Sequence, residues 1–373
     1  MNVDSIVELI KANEFPLITG LSGGLILIYV MLTPKMTDTA PSFSNQWDHH
    51  HYITMAQNPF VLFCPATPEC YRPLLPWLIG VLPTPLQSTW IAVTAGGFVV
   101  SGVALYAFLL ELDLSPGWGL VGVAMLYHLS GFTRFLMFDF WLLDTIGIAL
   151  ILIGLWAIIT DRSKLLIAIV IPGVLIREPI IFLVPTWYLW EARTSGYFNK
   201  QLITRVIVTG VITAILLLLP RLVVSSGYSI TDQWARFGLF ARLDGPSNQL
   251  ERITIYTWGI LIFLPIFDLR TVLEKCWPFA PLVVFGFLQI FIGGSVERYQ
   301  MVFAPVMIYA ALLGFKRIHD NIGRILPETP TPHFYAVPFA VIALLQSVGG
   351  RRKFGLAFDI QFTIVVVCVV GAL

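Results

Sequence analysis

Residues 88–110 read STWIAVTAGGFVVSGVALYAFLL, and none of these 23 residues is charged. A helix needs about 20 mainly apolar residues to cross the hydrocarbon core of a bilayer. The apolar residues here do not alternate with polar ones at period two, which argues against a strand of a transmembrane barrel. The stretch therefore predicts a membrane-spanning α-helix.

Similar stretches recur along the whole chain, near residues 16–33, 88–110, 117–132, 141–159, 164–176, 179–190, 203–222, 254–267, 277–293, 300–315, 333–347 and 357–373. Several are short, so we predict eleven or twelve spans. The chain is 57% hydrophobic and 12% charged, with a mean hydropathy of +0.81. The fold class predicted is all-α, a polytopic transmembrane helix bundle forming one domain over residues 1–373. Its helical extracytoplasmic loops are expected at 34–87 and 224–252.

The composition also excludes several classes of protein, since a soluble domain usually carries about 25% charged residues. A soluble enzyme, a disordered regulator and a secreted disulfide scaffold do not fit. The net charge is +1, and no long basic run is present to neutralise phosphates. We therefore expect membrane lipids, and no nucleic acid, among the partners. Gly20 and Gly24 form a GxxxG spacing, which predicts a close approach of helices.

Positive charges predict the sidedness, because Lys and Arg concentrate in cytoplasmic loops. With the N-terminus inside, four of the seven lysines fall in the inner loops. With the same orientation the segment Arg351-Arg352-Lys353 falls in an outer loop, which disagrees with the concentration of positive charge inside. We predict an integral membrane protein with a cytoplasmic N-terminus.

Ionisable residues near a bilayer are costly, and each is therefore a functional candidate. Under this topology the unusual ones gather on the outer side: Asp48, Arg72, Arg134, Asp139, Asp144, Arg177, Glu178, Arg221, Glu297 and Arg298. They come from at least five stretches of chain, as expected of one site built between helices. The alternative is that half of all loops face outward in any case.

The first loop carries the most informative pattern, QWDHHHYITMA at 46–56 followed by CYRPLLP at 70–76. On a helix, Asp48, His51 and Tyr52 share one face. An acid just after a transmembrane helix is placed to act at the membrane surface, where it can serve as a general base. The alternative role for Asp48 is a helix N-cap.

These motifs resemble the first extracytoplasmic loop of GT-C glycosyltransferases, integral membrane enzymes that use a polyprenyl-phosphate sugar as donor. Asp48 stands where those families place the catalytic acid, and Tyr52 and Ala56 match the spacing. The segments at 177–179 (REP) and 297–299 (ERY) are similar to their charged outer-end motifs. Asp144, in LLDTIGIAL, looks like a second acid that many members carry. The resemblance covers roughly residues 15–315.

The resemblance implies an inverting single displacement that moves the sugar to a hydroxyl on a glycan, lipid or protein at the outer membrane face, with Asp48 as the base. The candidate acceptor-binding or sugar-binding residues are Asp144, Asp139, His51, Tyr52, Trp47 and Tyr71. A guanidinium binds phosphate bidentately, so the candidate phosphate ligands are Arg298, Arg177, Arg72 and Arg134. Supporting roles fall to Glu178, Glu297 and Tyr299.

A metal and a disulfide are two further questions that the first loop raises. Adjacent helical histidines point about 100° apart, so they cannot all face one ion. No cofactor is required by the pattern, and a divalent cation at His49 or His51 stays an alternative. Cys64 and Cys70 both lie in the first loop, and we predict a disulfide between them if that loop meets an oxidising compartment.

The second large loop, 224–252, has Trp234, Phe237 and Phe240 at helical spacing, which favours a short amphipathic helix in the interface. It would be either a cover over a lipid donor, as the resemblance implies, or a structural lid. Two alternatives to the transferase remain, a lipid-linked-sugar transporter or flippase, and an O-antigen ligase or polymerase. A non-catalytic subunit of an envelope-assembly complex is a third.

Overall fold

The computed structural model describes residues 14–33, 35, 48–61, 68–129, 131–223, 254, 257–290, 296–325 and 331–348. Throughout these ranges the ordered elements are α-helices and short 3-10 helices, and none is a strand. The predicted all-α helix bundle is therefore confirmed.

The α-helices of the described chain are α1 Glu14–Leu32, α2 Asp48–Gln57, α3 Leu74–Gly80, α4 Leu86–Glu111, α5 Pro116–His128, α6 Thr133–Phe138, α7 Asp144–Ile159, α8 Ser163–Gly173, α9 Leu183–Ser195, α10 Lys200–Val223, α11 Leu269–Cys276, α12 Ala280–Ile290, α13 Val296–Tyr299, α14 Ala304–Gly323 and α15 Ala336–Val348. The 3-10 helices are Pro68–Tyr71, Glu178–Phe182, Gly259–Ile262, Leu264–Asp268, Trp277–Phe279, Gln300–Phe303 and Pro332–Tyr335.

Five helical segments are long and apolar enough to cross a membrane: Phe15–Leu32, Leu86–Glu111, Lys200–Val223, Gly259–Gln289 and Gln300–Gly323. They identify a membrane protein. Shorter apolar helices such as α7 and α8 pack among them. The last predicted span, 357–373, lies outside the described residues, so the number of spans and the sidedness stay predictions.

Helices α4 and α7 form the centre of the bundle and run side by side. The Thr94 hydroxyl of α4 donates to the carbonyl of Phe140, just before α7, at 2.7 Å. A methyl group at Gly97 would lie 2.9 Å from the Thr145 side chain. The absence of a side chain at Gly97 therefore allows the first turn of α7 to approach α4 closely.

Among the described residues, the GxxxG spacing of α1 does not mark a close approach. A Cβ at Gly20 or Gly24 would meet none of their atoms within 4 Å, so that expectation is wrong for this part of the chain. The close approach beside α1 is at Gly102 of α4, where a Cβ would lie 2.3 Å from the hydroxyl oxygen of Tyr127. That hydroxyl donates to the carbonyl of Phe98 at 2.9 Å, inside the bundle.

The connections return several charged residues to one end of the bundle, where α7 begins. Helix α8 runs back towards the start of α7, so Arg177 and Glu178, which follow α8, arrive there. The backbone amide of Leu74 donates to the carbonyl of Leu175 at 3.4 Å. This hydrogen bond fixes the later part of the first loop at the same end.

Candidate functional site

A buried carboxylate lies between two arginines where α7 begins. The Arg298 Nε donates to Oδ2 of Asp144 at 2.8 Å, and the Arg177 Nη2 donates to Oδ1 of the same carboxylate. All three side chains are at most 6% exposed. We call Asp144, Arg177 and Arg298 the inner unit.

The inner unit depends on a glycine one turn along α7. A Cβ at Gly147 would lie 2.6 Å from Cγ and 3.0 Å from Cβ of Arg177. The aliphatic stem of Arg177 therefore lies directly against the α7 backbone, which brings its guanidinium to the Asp144 carboxylate.

A second acid lies next to the inner unit and is also held by arginines. The Arg72 Nε lies 2.9 and 2.8 Å from the two carboxylate oxygens of Glu178. The Arg221 Nη2, from the end of α10, lies 3.5 Å from Oε1 of the same acid. The side chain of Arg221 is 33% exposed, against 11% for Arg72. We call Glu178, Arg72 and Arg221 the outer unit.

Aromatic rings surround the two units. The Arg221 guanidinium lies 4.7 Å from the centre of the Tyr71 ring. The hydroxyl of Tyr52, on α2, accepts from Nη1 of Arg72 at 3.1 Å. Tyr299 has both guanidiniums of the inner unit near its ring, Arg177 at 6.0 Å and Arg298 at 5.6 Å. Such cation–π contacts hold guanidiniums in place.

The combined inner and outer units form what we call the charge cluster. Within the described part of the chain it holds four guanidiniums and two carboxylates, a formal charge of +2. Burial raises the pKa of Glu178, but the positive charges of Arg72 and Arg177 outweigh it and hold that pKa below its ordinary value. The acid is therefore ionised at neutral pH, and the six described groups of the cluster together carry a formal charge of +2.

Two polar atoms next to the cluster are buried without a hydrogen-bond partner among the described residues, Nε1 of Trp90 and Oγ1 of Thr145. Thr145 directly follows Asp144. The Trp90 ring lies 6.4 Å from the Tyr52 ring and 6.0 Å from the Trp141 ring. A buried polar atom without a partner is costly, and such atoms beside aromatic rings suit a ligand rich in hydroxyl groups.

The remaining candidates lie near this end of the bundle or outside the described residues. Arg134, on α6, and Asp139, just after it, are buried in the connection that leads to α7. His49 and His51 are buried on α2, and the His49 ring lies against the His50 ring, with centroids 4.2 Å apart and a tilt of 35°.

Asp48 begins α2, four residues before Tyr52, but its side chain lies outside the described residues, as do Trp47 and the side chain of Glu297. Their roles stay predictions. The described residues contain no group of three or more His, Cys, Asp or Glu able to hold a metal. Because Asp48 is not covered by that statement, a divalent cation stays an alternative.

The structure describes one of the two cysteines of the predicted disulfide. Cys70 is disulfide-bonded, and Cys64 lies outside the described residues, as does the loop 224–252. The pairing of Cys64 with Cys70 therefore stays a prediction.

The sequence motifs assign no role to three residues of the site, Arg221, Trp90 and Thr145. Arg221 is recognisable as a charge at the end of an apolar helix, but nothing in its sequence neighbourhood pairs it with Glu178. Trp90 and Thr145 have no sequence signal, since an aromatic residue and a threonine are ordinary in an apolar helix. Only the packing of α4 on α7 shows that their polar atoms are buried without hydrogen-bond partners among the described residues.

No protein-family model matches the chain, and no curated protein matches it. The fold is similar to the crystal structure of the Archaeoglobus fulgidus oligosaccharyltransferase tethered to an acceptor peptide containing the NVT sequon, with a TM-score of 0.49 and 11% sequence identity. The match covers 93% of this chain, which spans 57% of the length of that protein.

Proposed function

We propose that the chain is a membrane glycosyltransferase that takes a sugar from a polyprenyl-phosphate donor. The observation that carries the proposal is the charge cluster, in which four arginines and two acids of the described residues meet at one end of a helix bundle. Charge of this kind is costly in a membrane protein and marks functional sites. A phosphate group on a lipid is an anion that reaches such a site from the bilayer.

The outer unit is the proposed phosphate site. Both carboxylate oxygens of Asp144 are engaged by the inner arginines, whose side chains are nearly inaccessible. Arg221, in contrast, makes a longer contact with Glu178 and is one-third exposed. A guanidinium stacked on a tyrosine can rotate towards an incoming phosphate while its stem stays in place. Arg72 and Arg221 therefore replace Arg298 and Arg177 as the preferred phosphate ligands.

The proposed reaction is a single displacement that inverts the anomeric carbon. A carboxylate base, Asp48, takes the proton from the acceptor hydroxyl as its oxygen forms a bond to that carbon. The bond from the anomeric carbon to the phosphate oxygen breaks, and its electron pair stays on the phosphate. The leaving phosphate gains a negative charge, which the outer arginines stabilise. The assignment of Asp48 rests on the sequence resemblance and on its position one turn before Tyr52 in α2.

The sugar would lie between the phosphate site and the unpartnered polar atoms of Trp90 and Thr145. The aromatic rings of Tyr52, Trp90 and Trp141 offer apolar faces of the kind that contact sugar rings. The acceptor would be a hydroxyl on a glycan, lipid or protein, at the outer membrane face predicted from the loop charges.

The test is transfer by the purified full-length protein from a panel of polyprenyl-phosphate sugars to a native membrane extract. We expect Asp48→Asn to abolish transfer while the binding of sugar-free polyprenyl phosphate is kept. Unchanged transfer by Asp48→Asn would remove Asp48 from the chemistry and direct attention to His49 and His51. No transfer by the unaltered protein from any donor would favour a transporter or a subunit without catalytic activity.

A second variant tests the phosphate site. Arg221→Gln is expected to weaken the binding of polyprenyl phosphate by about tenfold, since a charge-assisted hydrogen bond contributes about 1.5–3 kcal/mol. Arg205→Gln is the matched control, because Arg205 lies at the other end of α10 and pairs with Glu191 at 3.4 Å. Equal effects of the two substitutions would contradict a phosphate site at the outer unit.

A further inference from the structure

An apolar cleft of about 430 Å³ lies between α1, α4 and α7, away from the charge cluster. Its lining includes Phe15, Val100, Val103, Ala104, Ile153 and Trp156. Trp156 follows Asp144 by twelve residues of α7, about 18 Å along the helix axis at 1.5 Å per residue. The cleft is therefore a separate feature of the opposite half of the bundle.

The cleft presents hydrocarbon to any occupant. Apart from Trp156, whose ring carries one N–H, the polar side chain in its lining is Thr19, whose hydroxyl donates to the carbonyl of Phe15 at 2.7 Å within α1. A cavity lined in this way does not hold ordered water. Two of its residues are well exposed, Phe15 at 47% and Val100 at 42%. The cleft thus opens on the outer surface of the bundle, where a membrane protein meets lipid.

A cation stands at one end of the cleft. The Arg162 guanidinium lies 4.3 Å from the centre of the Trp156 ring, the same side chain that forms part of the lining. Arg162 is exposed and immediately precedes α8, whose N-terminal end adds a partial positive charge. Lys164 is also exposed, and with Asp161 beside it this turn keeps a net charge of +1. The turn therefore attracts an anion next to an apolar cavity.

We propose that the cleft binds one acyl chain of an anionic phospholipid whose phosphate contacts Arg162. The volume is within the range of small-ligand sites, about 300–1,000 Å³, and suits one acyl chain better than a long polyprenyl tail. An exposed cation near a membrane surface favours an anionic over a neutral headgroup by about fivefold. This site is independent of the proposed transfer reaction.

The headgroup is tested with the purified full-length protein in detergent, mixed with equal amounts of dioleoylphosphatidylglycerol and dioleoylphosphatidylcholine. Native mass spectrometry measures the lipid that each protein molecule retains. We expect about a fivefold excess of phosphatidylglycerol, reduced to parity by Arg162→Gln. Arg193→Gln is the matched control, because Arg193 stacks on Trp190 at 3.7 Å in the same way, on a different helix. A preference that survives Arg162→Gln, or falls equally in the control, would overturn the headgroup assignment.

The binding of the acyl chain in the cleft is tested by a substitution that closes the cleft from its exposed edge. Val100→Trp adds a ring at the mouth without entering the core, and should lower the retention of both lipids at least fivefold. Val211→Trp, at an exposed valine of α10, is the control and should have no effect. Unchanged retention in Val100→Trp would exclude the cleft. Displacement of the lipid by an equal amount of polyprenyl phosphate would assign the cleft to the donor's tail instead.

Discussion

The inner and outer units contain the same chemical groups, one acid and two arginines, yet they differ in accessibility. The inner arginines are 4% and 6% exposed, whereas the outer ones are 11% and 33% exposed. A buried ion pair is costly to break but adds little net stability, because both charges lose their hydration. The inner unit is therefore suited to fixing how the helices meet, and the outer unit to exchanging partners with a ligand.

The largest effect is expected from removing the shared acid of the inner unit. Asp144→Asn removes the carboxylate charge that accepts from both Arg177 and Arg298, which should cost about 3–5 kcal/mol of folding free energy. Thermal unfolding of the purified protein measures the loss. Asp161→Asn, at the exposed acid beyond the other end of α7, should change the midpoint little. If both variants unfold alike, the inner unit does not hold the helices together.

The next largest effect is expected at Gly147, where a substitution changes the packing of Arg177 but no charge. Gly147→Ala places a methyl group against the stem of Arg177 and should cost about 1–3 kcal/mol through overpacking. Gly96→Ala meets open space on α4, and alanine is the better helix former by about 1 kcal/mol. The two substitutions should therefore shift the unfolding midpoint in opposite directions. Stabilisation by both would show that Arg177 can move aside.

The outer unit should show a smaller and pH-dependent effect. Because the native pKa of Glu178 is depressed, its ionised form stabilises the fold at pH values above about 4.5, and this contribution is lost as the pH falls through the native pKa. Glu178→Gln should cost about 1–3 kcal/mol near neutral pH. The difference between the unfolding midpoints of the two proteins should begin to shrink below about pH 4.5 and should vanish only below the native pKa of Glu178. A constant difference across this range would mean that the charge of Glu178 is not what matters.

The smallest effect concerns the polar atoms beside the cluster. Thr145→Val removes a buried hydroxyl that has no partner among the described residues, and should be neutral or stabilising by about 1 kcal/mol. Thr94→Val is the matched control, since its hydroxyl donates to the carbonyl of Phe140 and its loss should cost about 1 kcal/mol. A loss of donor-sugar binding in Thr145→Val alone would sharpen the proposed sugar site. Destabilisation of both variants would mean that Thr145 has a partner within the protein.

The helical bundle was predictable because long apolar stretches have few other stable structures in a membrane. The charged residues of the site were also recognisable one by one, since each departs from an apolar background. Their pairing was not, because Asp144 and Arg298 are 154 residues apart and no local pattern connects them. Nor did glycine spacing identify the contacts, since Gly147 approaches Arg177 without a GxxxG motif, whereas Gly20 and Gly24 approach none of the described residues.

The wide separation of the inner unit's members also imposes an order on biogenesis. Arg177 lies 33 residues after Asp144 in the chain, and Arg298 lies 154 residues after Asp144. At about 5–20 residues per second, the ribosome needs about 8–30 s to reach Arg298 after Asp144. During that interval Arg177 is the one arginine of the inner unit that has been synthesised, and Arg298 arrives with the last third of the chain. Insertion of α13 and α14 therefore completes a charge arrangement that the first half of the protein begins.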